Sequence, residues 1–379
     1  MQFLPNQYLI ASLMDSNNLP HLPRLDHVRF FAATLVFFFH FSHYYYFHWQ
    51  AQSDYPWLGL ITEGHTGVGL FFTLSGFLFM LIALHNPVID YKRFLRNRVL
   101  RIFPMFLTVF FLAISIVRDD FRPQDILYLF FSNIGKAPTS NHFITGAAWT
   151  ISLEFTFYLL FPFLGRFARE KGPSYLLKLL LLMLLFKLGA YGVTERSKHM
   201  LYSTLVGRFD QFLIGMLAAL LYSRFKDFLL RRGNLLLIGA VVVVFLNSAV
   251  QSRYASFFFP IQKDVFWIFW SMLEASGWAL FITAWVSASF ALPQWLDRFM
   301  RRGGEISFSF YLMHALVIYL TFEAFGVWII TGNSMVDGVI MASGLYGLTW
   351  IAATLSYETI EKPFLGLRSG YGKQLKKVS

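Results

Sequence analysis

The amino-acid sequence predicts an all-α integral membrane protein, a polytopic helical bundle with about ten transmembrane helices. Of its 379 residues, 56% are hydrophobic, only 14% are charged and 45 are phenylalanine. The apolar residues form runs close to the roughly twenty residues that cross a hydrocarbon core of about 30 Å. A soluble fold would leave most of these runs exposed to water. The absence of cysteine excludes disulfides, thiolate nucleophiles and cysteine-based metal sites.

Ten apolar runs are expected to span the membrane. They cover about residues 28–47, 66–85, 100–117, 147–165, 175–193, 205–223, 234–251, 265–289, 306–329 and 337–358. Residues 124–134 are too short to cross and predict an interfacial or re-entrant segment. No secretory signal peptide is evident. We therefore expect a cytoplasmic segment at 1–27, one transmembrane domain at 28–364 and a basic cytoplasmic tail at 365–379.

The basic residues are divided unevenly between the alternating loops. A net charge of +11 would by itself suit a nucleic-acid partner. Assigning alternate loops to the two sides of the membrane, however, places 23 of the 32 Lys and Arg residues on the side of both termini and seven on the other. This is the positive-inside pattern of a chain with both termini in the cytoplasm. The charge therefore predicts topology and contact with the lipid bilayer, with no nucleic acid bound.

Two ionisable residues interrupt the first span. Arg29 and His40 are eleven residues apart, so on a helix they share a face and lie roughly 16 Å apart along the axis. Ionisable groups inside a spanning helix are costly and usually functional, and histidine suits acid–base catalysis near neutral pH. Alternatively, Arg29 extends to the headgroups and His40 only bonds a neighbouring helix. His43 and His48, nearer the outer end, suit the interface.

Five cations lie between Lys92 and Arg101, in the loop predicted between the second and third spans. Arg98 and Arg101 are one helical turn apart, which would let two guanidinium groups bind one phosphate. The same cluster would also serve as a positively charged membrane anchor, and spacing alone favours that anchor.

Polar residues at the start of the fourth span form a further group. Glu154 and Tyr158 share a helix face, and the carboxylate can orient a histidine, accept from a sugar hydroxyl or pair with an arginine. Trp149 is either an interfacial anchor or a platform on which a sugar stacks. Ser75, in the second span, is a nucleophile only with a base beside it. His314 lies near the cytoplasmic edge, and no metal-ligand spacing is present, so no metal site is expected.

Six segments, in order along the chain, resemble the acyltransferase-3 family of integral membrane acyltransferases. They are LDHVRFFAATLVFFFH, GHTGVGLFFTLSGFLF, FLRNRVLRIFPMF, WTISLEFTFYLLFP, ISFSFYLMH and SYETIEKPF. Three positions depart from the family pattern: His27 stands where glycine is common, Gly69 where aspartate is common, and Phe155 where an acidic or polar residue is common. These departures bear on specificity, because the histidine, glutamate and arginines named above are all present.

The resemblance implies an acyl donor and residues that bind it. Members of the family commonly move acyl groups, often acetyl, from cytoplasmic acyl-CoA to glycans and other acceptors. It implies that Arg98 and Arg101 bind the phosphates of acetyl-CoA, while Arg29 and His314 assist on the donor side.

The resemblance also implies the catalytic and acceptor residues. His40 would deprotonate the acceptor hydroxyl or briefly carry the acyl group, with its imidazole oriented by Glu154 and with Arg29 as the third catalytic residue. Trp149, Tyr158 and Ser75 would contact the acceptor. The expected reaction is O-acetylation of a glycan or lipid-linked saccharide at a bacterial cytoplasmic (inner) membrane.

Two other functions were weighed against the acyltransferase. A proton-coupled transporter would also use intramembrane His, Glu and Arg, but carriers often contain paired repeats with broken helices, and the halves of this chain contain none. A non-catalytic scaffold would need neither His40 nor the clustered arginines. Whether the protein forms a homo-oligomer is left open by the sequence.

Overall fold

The computed structural model confirms the predicted all-α architecture. The regular structure is helical throughout the residues that it describes. These residues are 22–49, 58–86, 88–120, 143–146, 149–194, 197–254, 256 and 263–371. The predicted interfacial segment at 124–134 lies outside them.

Fifteen helices occur in the described residues, and we number them in chain order. They are α1 (Pro23–Trp49), α2 (Gly59–Thr62), α3 (Thr66–His85), α4 (Tyr91–Ile116), α5 (Phe143–Gly146), α6 (Trp149–Lys171), α7 (Pro173–Val193), α8 (Ser197–Tyr202), α9 (Leu205–Arg224), α10 (Lys226–Tyr254), α11 (Phe266–Ser287), α12 (Gln294–Glu305), α13 (Ser307–Phe325), α14 (Ser334–Ser356) and α15 (Lys362–Leu365). A 3₁₀ turn (Arg118–Asp120) follows α4, and a π-helical turn (Tyr357–Glu361) joins α14 to α15.

Nine helical segments of the described chain are long and apolar enough to cross a membrane. They contain α3, α4, α6, α7, α9, α10, α11, α13 and α14, and they correspond to nine of the ten predicted spans. The remaining one, α1, has 27 residues and is about 40 Å long at 1.5 Å per residue, but it is less apolar. Charged residues in its first turns, and histidines and tyrosines in its second half, account for the difference.

The basic segment before the third span is helical, which differs from the predicted loop. Helix α4 begins at Tyr91, so Arg98 and Arg101 lie on its first turns. The Asp90 carboxylate caps this helix by accepting a hydrogen bond of 3.0 Å from the backbone N–H of Arg93. The two arginines therefore occupy fixed positions on one helix.

Other boundaries also differ from those predicted. The first helix starts at Pro23, inside the segment assigned to the terminus, with proline at a position that tolerates its missing N–H. The helix α12 replaces a predicted loop, and its surface-exposed Trp295 and Phe299 give it an apolar face. The predicted tail is partly packed, because residues 366–371 contact α4.

The bundle has a tightly packed interior and an apolar exterior. Helices α3 and α9 cross so closely that a Cβ atom on Gly76 would lie 2.0 Å from the carbonyl oxygen of Phe212, and one on Gly215 would lie 1.9 Å from that of Thr73. Of the most apolar stretch of α3, 78% is buried, against 22% for α7 and for α10. The outer helices thus present leucine, valine and phenylalanine side chains suited to lipid.

Candidate active site

A cavity of about 100 Å³ lies between α1, α3, α4, α6 and α13. Much of its wall is apolar and includes Val68, Phe71, Phe72, Leu78, Phe79 and Ile102. Into this apolar space project charged and polar side chains from four of the helices: Arg29, Ser75, Arg98, Arg101, Glu154 and Tyr158. An apolar pocket with a few convergent polar groups is the usual form of a small-molecule site.

Three arginines give one end of the cavity a positive charge. The guanidinium of Arg29 pairs with Asp26, one turn earlier on α1. That of Arg101 lies 3.8 Å from the carboxylate of Glu361, which the π-helical turn brings in from the far end of the chain. The guanidinium of Arg98 is surrounded by aromatic rings and lies 5.1 Å from the centre of Phe79. Guanidinium groups held in this way are suited to binding phosphate.

Glu154 faces the same cavity and has partners on two helices. Its carboxylate accepts a hydrogen bond from the hydroxyl of Tyr158, one turn later on α6, and another of 3.5 Å from Ser75 on α3. Arg98 and Arg101 also interact electrostatically with it. The contacts of Glu154 therefore lie within the cavity, and the structure does not place it against His40 as the sequence suggested.

The partner of His40 is His314. Nδ1 of His40 on α1 lies 3.0 Å from Nε2 of His314 on α13 and 3.1 Å from the carbonyl oxygen of Val36. Nδ1 of His314 lies 2.5 Å from the carbonyl oxygen of Tyr311. Because a carbonyl oxygen can only accept, each Nδ1 carries the proton, and Nε2 of His314 then accepts from Nδ1–H of His40. Within the described part of the chain, Nε2 of His40 then keeps a lone pair without a hydrogen-bond partner, as a general base requires.

Tyr311 contacts both the histidine pair and the cavity. Its side chain lines the cavity, while its backbone carbonyl accepts the hydrogen bond from His314. Its hydroxyl shares a hydrogen bond of 2.9 Å with Thr150 on α6. The arginine-lined cavity and the histidine pair are therefore neighbouring sites joined through one residue.

Comparison with known proteins identifies the family. The sequence profile of a family described as an acyltransferase domain matches residues 22–357. This chain belongs to the acyltransferase-3 family. The predicted resemblance is thereby confirmed, and membership of this family favours a membrane acyltransferase over a proton-coupled transporter.

Two relatives among curated proteins support the assignment to this family. The acyltransferase MdmB of Streptomyces mycarofaciens is 30% identical over 161 residues, which are 39% of this chain and 40% of that protein. Nodulation protein 10 of Rhizobium leguminosarum bv. viciae is 25% identical over 375 residues, 92% of this chain and 95% of that protein. The match thus spans less than half of the first relative and nearly all of the second. No solved structure matches the chain.

Within this acyltransferase, the candidate residues divide into three groups. Six of them line the cavity, as described above, and His40 and His314 form the pair behind Tyr311. Trp149 belongs to neither group, because its ring packs between Phe72 and Tyr202, with ring centres 6.4 Å and 5.4 Å away. It is buried, so the geometry offers no open face on which a sugar could stack.

The partners of several buried polar groups were not identified from the sequence, although Arg208 was expected to find one on another helix. His65 lies 3.1 Å from the carboxylate of Glu63, and the pair is completed by Gln251 on α10. Arg208 and Glu274 form a buried ion pair of 2.9 Å between α9 and α11. Gln251 and Glu274 lie 186 and 66 residues along the chain from their partners, so no local pattern identifies them. Among the described residues, no group of three or more His, Asp or Glu side chains is arranged to hold a metal ion.

Proposed function

We propose that this acyltransferase moves an acetyl group from cytoplasmic acetyl-CoA to a hydroxyl of a glycan or a lipid-linked saccharide. The observation that carries the proposal is the histidine pair. His40 is half-buried in α1, its Nδ1 proton is held by His314 and Val36, and Nε2 is left available. A base placed beside an arginine-lined cavity suits acyl transfer from an anionic thioester to an alcohol.

The arginine-lined end of the cavity supports a phosphate-bearing donor. We assign Arg98 and Arg101 to the phosphates of acetyl-CoA, and Arg29 to the same end. The basic residues of the loops at this end predict that it faces the cytoplasm, where acyl-CoA is available. The thioester arm would then extend along the apolar wall toward Tyr311 and the histidine pair.

The chemistry follows from the free lone pair on Nε2 of His40. This nitrogen accepts the proton of the acceptor hydroxyl while the hydroxyl oxygen attacks the thioester carbonyl. A carbon–oxygen bond forms, the carbon–sulfur bond breaks, and the CoA thiolate leaves and takes up a proton. His314 stabilises the imidazolium by accepting from Nδ1–H throughout. An alternative two-step route, in which Nε2 of His40 itself carries the acyl group, uses the same atoms.

The proposed function is tested by incubating purified protein with isotopically labelled acetyl-CoA and candidate saccharides, followed by mass spectrometry. The expected result is a labelled acetyl ester on the saccharide with the wild type and none with His40→Ala. Label that stays on CoA with every saccharide would contradict the acceptor class. A longer acyl donor used in preference to acetyl-CoA would contradict the donor assignment.

A further inference from the structure

The segment after the last helix folds back onto the arginine-bearing end of α4. We refer to residues 366–371 as the C-terminal strap. The side chain of Asn97 donates a hydrogen bond of 2.6 Å to the carbonyl oxygen of Ser369 and accepts one of 3.1 Å from its backbone N–H. The backbone N–H of Asp90 donates to the carbonyl oxygen of Tyr371 over 3.0 Å. Ser369 and Tyr371 of the strap are therefore tied to the start of α4.

The strap places Tyr371 directly on Arg98. The tyrosine is only 2% exposed, and its ring packs on Phe94 with a centre-to-centre distance of 5.3 Å. Its hydroxyl accepts a hydrogen bond from the guanidinium of Arg98. The Nε atom of Arg98 is buried and has no hydrogen-bond partner among the described residues. The Nε–H group of Arg98 is thus available to a ligand. One of its outer N–H groups donates to the uncharged hydroxyl of Tyr371.

The strap also adds a positive charge to a region that is already positive. Arg368 directly precedes Ser369, which Asn97 holds next to Arg98, so its charge adds to those of Arg98 and Arg101. Glu361 interacts with Arg101 and Arg368, and Glu154 interacts with Arg98 and Arg101, but two carboxylates do not balance three guanidinium groups. Mutual repulsion of this kind is relieved when an anion binds between the cations.

We propose that the C-terminal strap forms one wall of the donor site, where Arg368 binds a phosphate group of the acyl-CoA together with Arg98 and Arg101. The phosphate displaces the Tyr371 hydroxyl from Arg98 when it binds. The inference rests on the proposed function, because it assumes a phosphate-bearing donor, and it adds two residues from outside the helical bundle to that donor site. Phosphate is also the chemistry of lipid headgroups, so the experiment has to separate the two sources.

The test compares binding of acetyl-CoA with binding of acetyl-pantetheine, which has the same thioester arm but no phosphate, in a neutral detergent without anionic lipid. Arg368→Gln is expected to weaken acetyl-CoA binding about tenfold or more, the scale of one charged hydrogen bond, and to leave acetyl-pantetheine binding unchanged. Tyr371→Phe keeps the ring but removes the competing hydroxyl, and should tighten acetyl-CoA binding. Arg298→Gln is the matched control, because Arg298 is an exposed arginine on α12 whose hydrogen bond stays within its own helix.

Each outcome of this experiment is decisive. If Arg368→Gln and Arg298→Gln bind acetyl-CoA with equal affinity while the wild type binds it normally, the proposed role of the strap is wrong. The proposed function would be unaffected. A wild type without measurable acetyl-CoA affinity would overturn both. In nanodiscs containing phosphatidylglycerol, acetyl-CoA binding should still depend on Arg368. If Arg368→Gln weakens only the binding of phosphatidylglycerol, the strap binds lipid headgroups and its role in binding the donor is refuted.

Discussion

At the scale of single residues, the proposed reaction depends on one nitrogen atom of His40. General bases typically contribute 10²–10⁴-fold to rate, so His40→Ala should abolish measurable transfer. Acetyl-CoA binding and detergent stability should stay near wild type, because the arginines that bind the donor are untouched. The measurement is turnover of labelled acetyl-CoA in purified protein. His43→Ala, on the same helix, is the control and should be much milder; a turnover of His40→Ala above about a tenth of wild type would exclude His40 as the base.

His314 is expected to position His40 rather than to bind the donor. His314→Ala removes the acceptor for Nδ1–H of His40 and should lower kcat by roughly 10–100-fold, the scale of one hydrogen bond to a charged group. The KM for acetyl-CoA should not change. His314→Gln offers an amide oxygen as acceptor and should restore part of the rate.

The kinetic constants separate this role from the one inferred from sequence. Assignment of His314 to the donor site predicts a raised KM for acetyl-CoA with little change in kcat. Equal loss of activity in the Ala and Gln variants would show that the hydrogen bond to His40 is not what matters.

At the scale of helices, the crossing of α3 and α9 allows no added side chain. Gly215→Ala would push a Cβ atom into the backbone of α3, which lies 1.9 Å from its position, and overpacking of this kind typically costs about 1–3 kcal/mol or more. We expect a clearly lowered melting temperature in detergent. Gly239→Ala on α10 is the same substitution where nothing lies within 4 Å, and it should leave stability unchanged or slightly raised. Equal effects of the two variants would contradict the tight crossing.

The helices were largely predictable because each spanning segment carries its own signal. Apolar runs of sufficient length mark the spans wherever their partners lie, and α3 was predicted to the residue at both ends. The start of α4 was not, because its charged first turns interrupt the apolar run that marked the third span. The amphipathic helix α12 was missed for the same reason.

The candidate site was predicted less completely than the helices. The arginines and Glu154 stood out because charge inside an apolar sequence is costly. Their arrangement did not, since His40 meets His314 across 274 residues of chain and Glu361 reaches Arg101 only through the π-helical turn. Contacts between residues so far apart in sequence are set by the packing of whole helices, and no short sequence motif predicts that packing.

At the scale of the whole molecule, the distribution of charge predicts how the bundle sits in the membrane. With 23 basic residues assigned to one side and seven to the other, both termini are expected in the cytoplasm. A reporter fused after residue 379 should behave as cytoplasmic, whereas one inserted near Gln52 should be external. An external carboxyl terminus would refute the predicted number of spans.

The hydrogen bond between Tyr311 and Thr150 bears on the permeability of the membrane. A transferase that takes its donor from one side and modifies an acceptor on the other needs an access route from each side. If both routes were open together, water and protons would cross through the protein and dissipate the gradient that the cell maintains. Tyr311 and Thr150 both line the arginine-lined cavity and are bonded to each other, and Tyr311 also contacts His314. In the proposed reaction, this contact would keep the two access routes separate, and we expect the membrane to stay impermeable to protons in the absence of substrates.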